Sequence, residues 1–137
     1  MYLRSCVHQY IKRTQRVLNM IDIQALAKQI YSQLGPGYSE RVYHNAMMKS
    51  LRREGILTSR AYIPILFEGH VIGNLRADII INNEIVLEFK SIKTLNDVAE
   101  LQAHNYLRLM RLKTAYLINY PPFPDREVEV RKILVEP

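Results

Sequence analysis

The sequence predicts an α/β sandwich, a mixed central sheet with helices on its faces. Three observations carry that reading. Two stretches near the start repeat apolar residues at helical spacing. The middle of the chain then turns to β-branched runs. Within those runs, Ile79-Ile80-Ile81 and Ile85-Val86-Leu87 do not alternate apolar with polar, as expected of strands covered on both faces. The elements do not follow a strict βαβ alternation, and neither a G-x-G-x-x-G turn nor a P-loop is present, which argues against dinucleotide and NTP chemistry.

Residues 22–34 place Ile23, Leu26, Ala27, Ile30 and Leu34 on one helical face, with Asp22 as the capping residue and Gly35-Pro36-Gly37 as the stop. A second helix is predicted from about Ser39 to Glu54. Its inner stripe is Val42, Tyr43, Ala46, Met47, Ser50 and Leu51, and Gly55 closes it. Ala61–Phe67 reads as a strand in which Pro64 favours an edge position or a bulge. Glu68-Gly69 makes a turn into a long strand, Val71–Ile81, and Ile85–Ile92 follows as a third. A third helix runs from Asn96 or Asp97 to Arg111, with Val98, Leu101, Tyr106, Leu109 and Met110 among its apolar positions. Ala115–Tyr120 and Val128–Val135 complete the sheet around a Pro121–Asp125 loop, giving the order α-α-β-β-β-α-β-β.

A length of 137 residues suits one domain with a real core, and 48% hydrophobic against 23% charged residues is ordinary for a globular chain. No apolar run approaches the roughly 20 residues of a membrane span, so a membrane partner is not expected. The single Cys6 forms no internal disulfide, which suits a reducing, intracellular compartment. The net charge is +6, and residues 1–19 hold Arg4, Lys12, Arg13 and Arg16 without a single acid. The chain therefore divides into a basic N-terminal arm, 1–20, and a nearly balanced domain, 21–137. The arm suits phosphate contact. It equally fits a mitochondrial presequence, or an amphipathic first helix with Val7, Tyr10, Ile11 and Leu18 turned inward.

The chemistry concentrates at Asp78 and at Glu88-Phe89-Lys90. Three charges inside otherwise apolar strands are costly unless they bind something. Two carboxylates and the Phe89 carbonyl can hold a hard cation such as Mg²⁺ or Mn²⁺, and a lysine beside them can orient a water or stabilise developing negative charge. That is equipment for hydrolysing a phosphodiester. The plain alternative is an ion pair from Lys90 to Asp78 or Glu88 on a solvated sheet edge. For the two acids to share a cation they must meet on one side of the sheet. A two-residue turn at Asn82-Asn83 would set them on opposite faces, so the site requires an odd-length connection or a bulge. Gln102 and Tyr106, four apart, share a helical face. The glutamine can bond a phosphate, a water on the cation or the lysine. Alone, it reads as a solvated helix residue and Tyr106 as core. Glu40 either favours its helix dipole or supplies a further carboxylate, and His44 lies one turn beyond it. The histidines lack zinc-ligand spacing.

Taken together, Gly37-x-x-Glu40-x-x-Tyr43, Arg76-Ala77-Asp78, Leu87-Glu88-Phe89-Lys90, Gln102 with Tyr106, and Leu117-Ile118-Asn119-Tyr120 resemble the GxxExxY proteins, a compact branch of the PD-(D/E)XK nuclease superfamily. The resemblance covers about residues 21–137. It implies a restriction-endonuclease-like αβββαβ core and a Mg²⁺-dependent nuclease acting on DNA. Asp78, Glu88, Lys90, Gln102 and Tyr106 would be its catalytic set, and Glu40, Asp78, Glu88 and the Phe89 carbonyl its metal ligands. RNA as substrate and assembly as a homodimer stay open. The alternative is a non-catalytic module that keeps the fold to bind nucleic acid or a protein. The long arm and the enlarged Pro121–Asp125 loop depart from the family pattern.

Overall fold

A computed structural model describes residues 5–9, 12 and 22–136. The elements are α1 (Ile23–Leu34), α2 (Glu40–Arg53), β1 (Thr58–Phe67), β2 (His70–Ile81), β3 (Ile85–Lys90), α3 (Asp97–Met110), β4 (Thr114–Asn119) and β5 (Glu129–Leu134). The order is the one the sequence predicts, with ends displaced by up to three residues. The five strands lie in sequence order across one sheet. All neighbours are antiparallel except β3 and β4, which run parallel and are joined by α3. This is an α/β fold with a mixed sheet flanked by helices, consistent with a restriction-endonuclease-like core.

Local chemistry explains the helix ends. Asp22 accepts hydrogen bonds from the Gln24 and Ala25 amides at 2.9 and 3.2 Å, and Asn96 caps α3 through the Ala99 amide at 3.0 Å. Residues 5–9 are helical and exposed, Val7 included, so that residue does not turn inward; α1 and α2 already cover the adjacent sheet face. Tyr10, Ile11 and Leu18 lie outside the described residues.

The sheet separates two cores. Ile23, Ala27 and Ile30 of α1, with Tyr43, Met47, Met48 and Leu51 of α2, pack on Ile79, Ile81, Leu87, Phe89 and Ile118. On the other face, Ala99, Ala103 and Leu107 of α3 meet Ala77, Ile80, Val86, Ala115 and Leu117. Covering both faces is what the unbroken isoleucine runs require. Two stripes differ from expectation. In α2, His44 and Met48 are buried, whereas Val42, Ala46 and Ser50 are only half-buried. In α3, Val98 and Leu101 are 63% and 60% exposed, and the inward face is made by two alanines and Leu107. Close approach of α3 to the sheet selects small residues rather than the most apolar ones.

Two irregularities in β2 position the site. The β2–β3 connection is three residues long, Asn82-Asn83-Glu84, with Asn82 and Asn83 at φ of 51° and 56°. This is the odd-length connection that the site requires. In addition, Ser59 pairs with Ile80 but Ala61 pairs with Ala77, so Arg60 alone faces Asp78 and Ile79 across a bulge. The β2–β3 ladder ends at Ile79 and Leu87. Beyond that point β2 stays with β1, while β3 continues along β4 to Lys90. Asp78 and Glu88 sit where the ladder stops.

Candidate active site

Each strand residue at this fork has its direction set by its neighbours. Leu87 and Phe89 belong to the core under α1 and α2, and Val86 to the core under α3. Alternation therefore turns Glu88 and Lys90 toward α3. Asp78 lies in the bulge, out of strict alternation, and lines a pocket of about 140 Å³ with Glu40, His44 and Phe89. The acids thus come together at the fork, where both charges act on Tyr106 of α3.

They also feel one another. Burial pushes the Glu88 carboxyl up to about 7; the Lys90 ammonium opposes that rise and the Asp78 charge adds to it. One Glu88 oxygen, Oε1, is buried and has no hydrogen-bond partner. A carboxylate oxygen desolvated in this way is costly, and a hard cation is the natural group to satisfy it. On that count the site fits a divalent metal. Asp78 is committed differently: its Oδ1 lies 3.1 Å from Arg76 Nε. Among the described residues, no group of three or more His, Cys, Asp or Glu side chains is gathered as for a metal ion. Phe89 is buried, with its ring edge-on to His44 at 5.8 Å.

The other predicted residues come to the same fork from α2 and α3. Lys90 Nζ donates to Gln102 Oε1 at 3.0 Å, and no ion pair joins it to either acid among the described residues. Tyr106 is half-buried. Burial raises its pKa first and the Glu88 charge second. Lys90, Gln102 and Tyr106 line one groove of about 490 Å³ between α3 and the β1–β2 hairpin, with Ile65 and Leu75 on its far wall. Glu40 is exposed on the first residue of α2 and reaches the Asp78 pocket. His44 is 6% exposed, with Nε2 3.3 Å from the Asp78 carbonyl oxygen and Nδ1 3.0 Å from Asn45 Oδ1. It braces the bulge from behind.

Sequence reasoning missed two groups here. The first is the arginine trio Arg41, Arg60 and Arg76 around the Asp78 pocket. Arg60 arrives there through its register opposite the bulge, which no local pattern reveals. The second is a clamp built on Asn119, which is fully buried. It bonds the Ile92 amide and carbonyl, both at 2.9 Å, and Glu129 Oε1 at 2.9 Å. Glu129 in turn accepts from the Leu95 amide at 3.0 Å. The clamp fixes the exit from Lys90 and the approach to α3, so it sets the distance between Lys90 and Gln102. A polar residue ending an apolar strand run, Leu117-Ile118-Asn119, was the available signal.

A family profile described as the PD-(D/E)XK nuclease superfamily matches residues 18–133. No curated protein matches at a significant level. Among solved structures, the crystal structure of SSO0001 is similar with a TM-score of 0.51 and 24% sequence identity, over 69% of this chain and 48% of that one. That likeness concerns the fold, and this chain spans about half the length of that protein.

Proposed function

The chain belongs to the PD-(D/E)XK nuclease superfamily, and on that basis we propose that it is a divalent-metal-dependent nuclease that hydrolyses DNA. The observation that carries this reading is Glu88: a carboxyl driven up to about 7, with one oxygen buried and unpartnered, beside Asp78 and Lys90. Asp78, Glu88, Glu40 and the Phe89 carbonyl would hold Mg²⁺ or Mn²⁺, which when bound would neutralise phosphate charge and make a water more acidic. Lys90 then orients the attacking water and stabilises the charge that develops on phosphorus oxygens. Gln102 fixes the lysine, and Tyr106 buttresses the strand that carries Asp78. In this reading Asp78 would serve the cation only when free of its contact with Arg76. The closer relationship to GxxExxY proteins rests on Gly37, Glu40 and Tyr43. The boundary between the basic arm and the domain, near residue 20, and a phosphate-contacting role for the arm, belong to the same proposal.

The second reading is a module that binds nucleic acid or a protein without turnover. Two observations favour it: Asp78 is paired with Arg76, and the described acids do not form a group of three. The readings separate in one experiment. Purified protein is incubated with plasmid and single-stranded DNA in Mg²⁺ or Mn²⁺, alongside Lys90→Ala and Asp78→Ala. The nuclease reading expects cleavage that falls about 10²–10³-fold in each variant. Cleavage that persists in both variants removes it. No cleavage by the parent chain, together with salt-sensitive binding that EDTA leaves unchanged, establishes the binding module.

A further inference from the structure

The pocket at Asp78 carries more positive charge than the proposed hydrolysis uses. Arg41 enters from the first turn of α2, Arg60 from β1 and Arg76 from β2, with His44 behind them. Arg76 is occupied by Asp78 and lies 5.5 Å from the centre of the Tyr62 ring. Arg41 and Arg60 make no hydrogen bond or ion pair among the described residues. Two uncommitted guanidinium groups on a convex surface would be unremarked solvated charges. Here they converge on a concavity of about 140 Å³. That space is large enough for a phosphate group. The guanidinium fork matches phosphate oxygens in pairs. The pocket also meets the start of α2, where Ser39 makes no side-chain cap bond and the Val42 amide turns back to the Ser39 carbonyl at 3.0 Å. Glu40 and Asp78 oppose an anion, but three arginines outnumber them, and these two acids are the ones assigned to the cation.

We propose that this pocket is a phosphate subsite, in which Arg41 and Arg60 grip a phosphate group of the substrate strand beside the bond presented to Asp78. The inference rests on the nucleic-acid reading above. It adds to that reading two binding determinants, Arg41 and Arg60, in the pocket that Glu40 and Asp78 also line. The phosphate has two sources with the same chemistry, a terminal monoester at a strand end or an internal diester.

The test measures binding without turnover. The full chain is titrated in EDTA at fixed salt against a fluorescent oligonucleotide prepared with a 5′-phosphate, a 3′-phosphate or neither, and affinity is read by anisotropy. Arg41→Gln and Arg60→Gln are compared with Arg53→Gln, which removes an equal charge about 18 Å away at the far end of α2. Each pocket substitution is expected to weaken binding about tenfold, and the control by less than about twofold. A loss confined to one phosphorylated end identifies the terminal group; an equal loss on all three oligonucleotides identifies an internal phosphate. Pocket variants that lose no more than the control overturn the subsite while leaving nucleic-acid binding intact. A parent chain that binds none of the oligonucleotides also overturns the subsite, while the nuclease reading stands or falls on the cleavage assay. Because EDTA prevents turnover, failure of the cleavage assay alone leaves this result independent.

Discussion

The two faces of the sheet are filled with different residues, and the difference sets aromatic packing apart from chemistry. Under α1 and α2 the core is large and aromatic. Tyr43 stacks on Tyr120 with ring centres 4.1 Å apart, and Tyr31 packs on Tyr120 at 5.5 Å. Tyr43 and Tyr31 donate at 2.6 Å to the carbonyls of Gly35 and Pro121, tying the entry to α2 and the loop after β4 to one cluster. Burial raises the Tyr120 pKa well above the ordinary phenol value, and its hydroxyl is buried without a partner. Under α3 the core is aliphatic and rich in alanine: Ala77, Ala99, Ala103 and Ala115 pack among Ile80, Val86, Leu95, Leu107, Leu117 and Ile133. Small residues let α3 approach until Gln102 reaches Lys90, and they leave Glu88 desolvated without apolar neighbours large enough to replace it. Both faces supply folding energy, but the aromatic cluster belongs to the first, and on the second Glu88 is desolvated at a cost.

The sharpest way to break that contrast is to remove a large residue from the aromatic face. Tyr43→Ala deletes a fully buried ring, its stacking on Tyr120 and the bond to Gly35. The expected loss is about 3–5 kcal/mol of stability, read as a lower urea midpoint, with the cleavage rate per folded molecule little changed. A variant that stays as stable as the parent would show that this face is not the main support of the fold.

Much of this arrangement is legible from the sequence where signals are local. The isoleucine runs give the buried strands, and Asn82-Asn83 gives the turn, because asparagine tolerates the positive φ that both residues adopt. The parity argument at that turn asks for an odd connection or a bulge, and the chain has a three-residue connection there. What escapes is whatever depends on register or on close approach. The bulge at Asp78 exists only relative to β1, so neither the re-aimed aspartate nor the arrival of Arg60 has a local signature. The inward face of α3 escapes because alanine carries a weak hydrophobic signal, while Val98 and Leu101 attract attention and lie outside.

Glu88 measures the cost on the chemical face. Its folded pKa of about 7 stands above the ordinary value of 4.5. Between those values the folded chain keeps a proton that the unfolded chain has released. Stability therefore falls as pH rises from about 4.5 to about 7, and the penalty is complete above 7. At about 1.4 kcal/mol per pKa unit, its size is on the order of 3 kcal/mol. Glu88→Gln should be more stable than the parent at pH 8 by that order and about equal to it at pH 4, when both are unfolded by urea in EDTA. If burial sets the shift, the two stability curves converge in acid; parallel curves would refute it. Divalent metal should narrow the gap at pH 8, because it binds the ionised carboxylate.

The smallest expected effect lies at the edge of the same face. The Lys90–Gln102 bond, 3.0 Å long, is exposed to solvent, and a solvated hydrogen bond contributes little to stability. Gln102→Ala should leave the urea midpoint unchanged. Its effect belongs to the lysine's position: freed from the helix, the ammonium samples rotamers that point away from Glu88. Turnover should drop about five- to tenfold, or about 1–1.4 kcal/mol, below the range for a charged hydrogen bond because solvent competes for this one, while substrate affinity holds. Gln102→Glu keeps an acceptor at that place and should recover most of the rate. Recovery by Gln102→Glu but not by Gln102→Met, which keeps the stem and lacks the acceptor, separates a positioning contact from one that only packs α3 on the sheet. Equal rates in both variants would mean that the Asn119 clamp alone sets the lysine, and that α3 approaches the sheet for its alanines rather than for its glutamine.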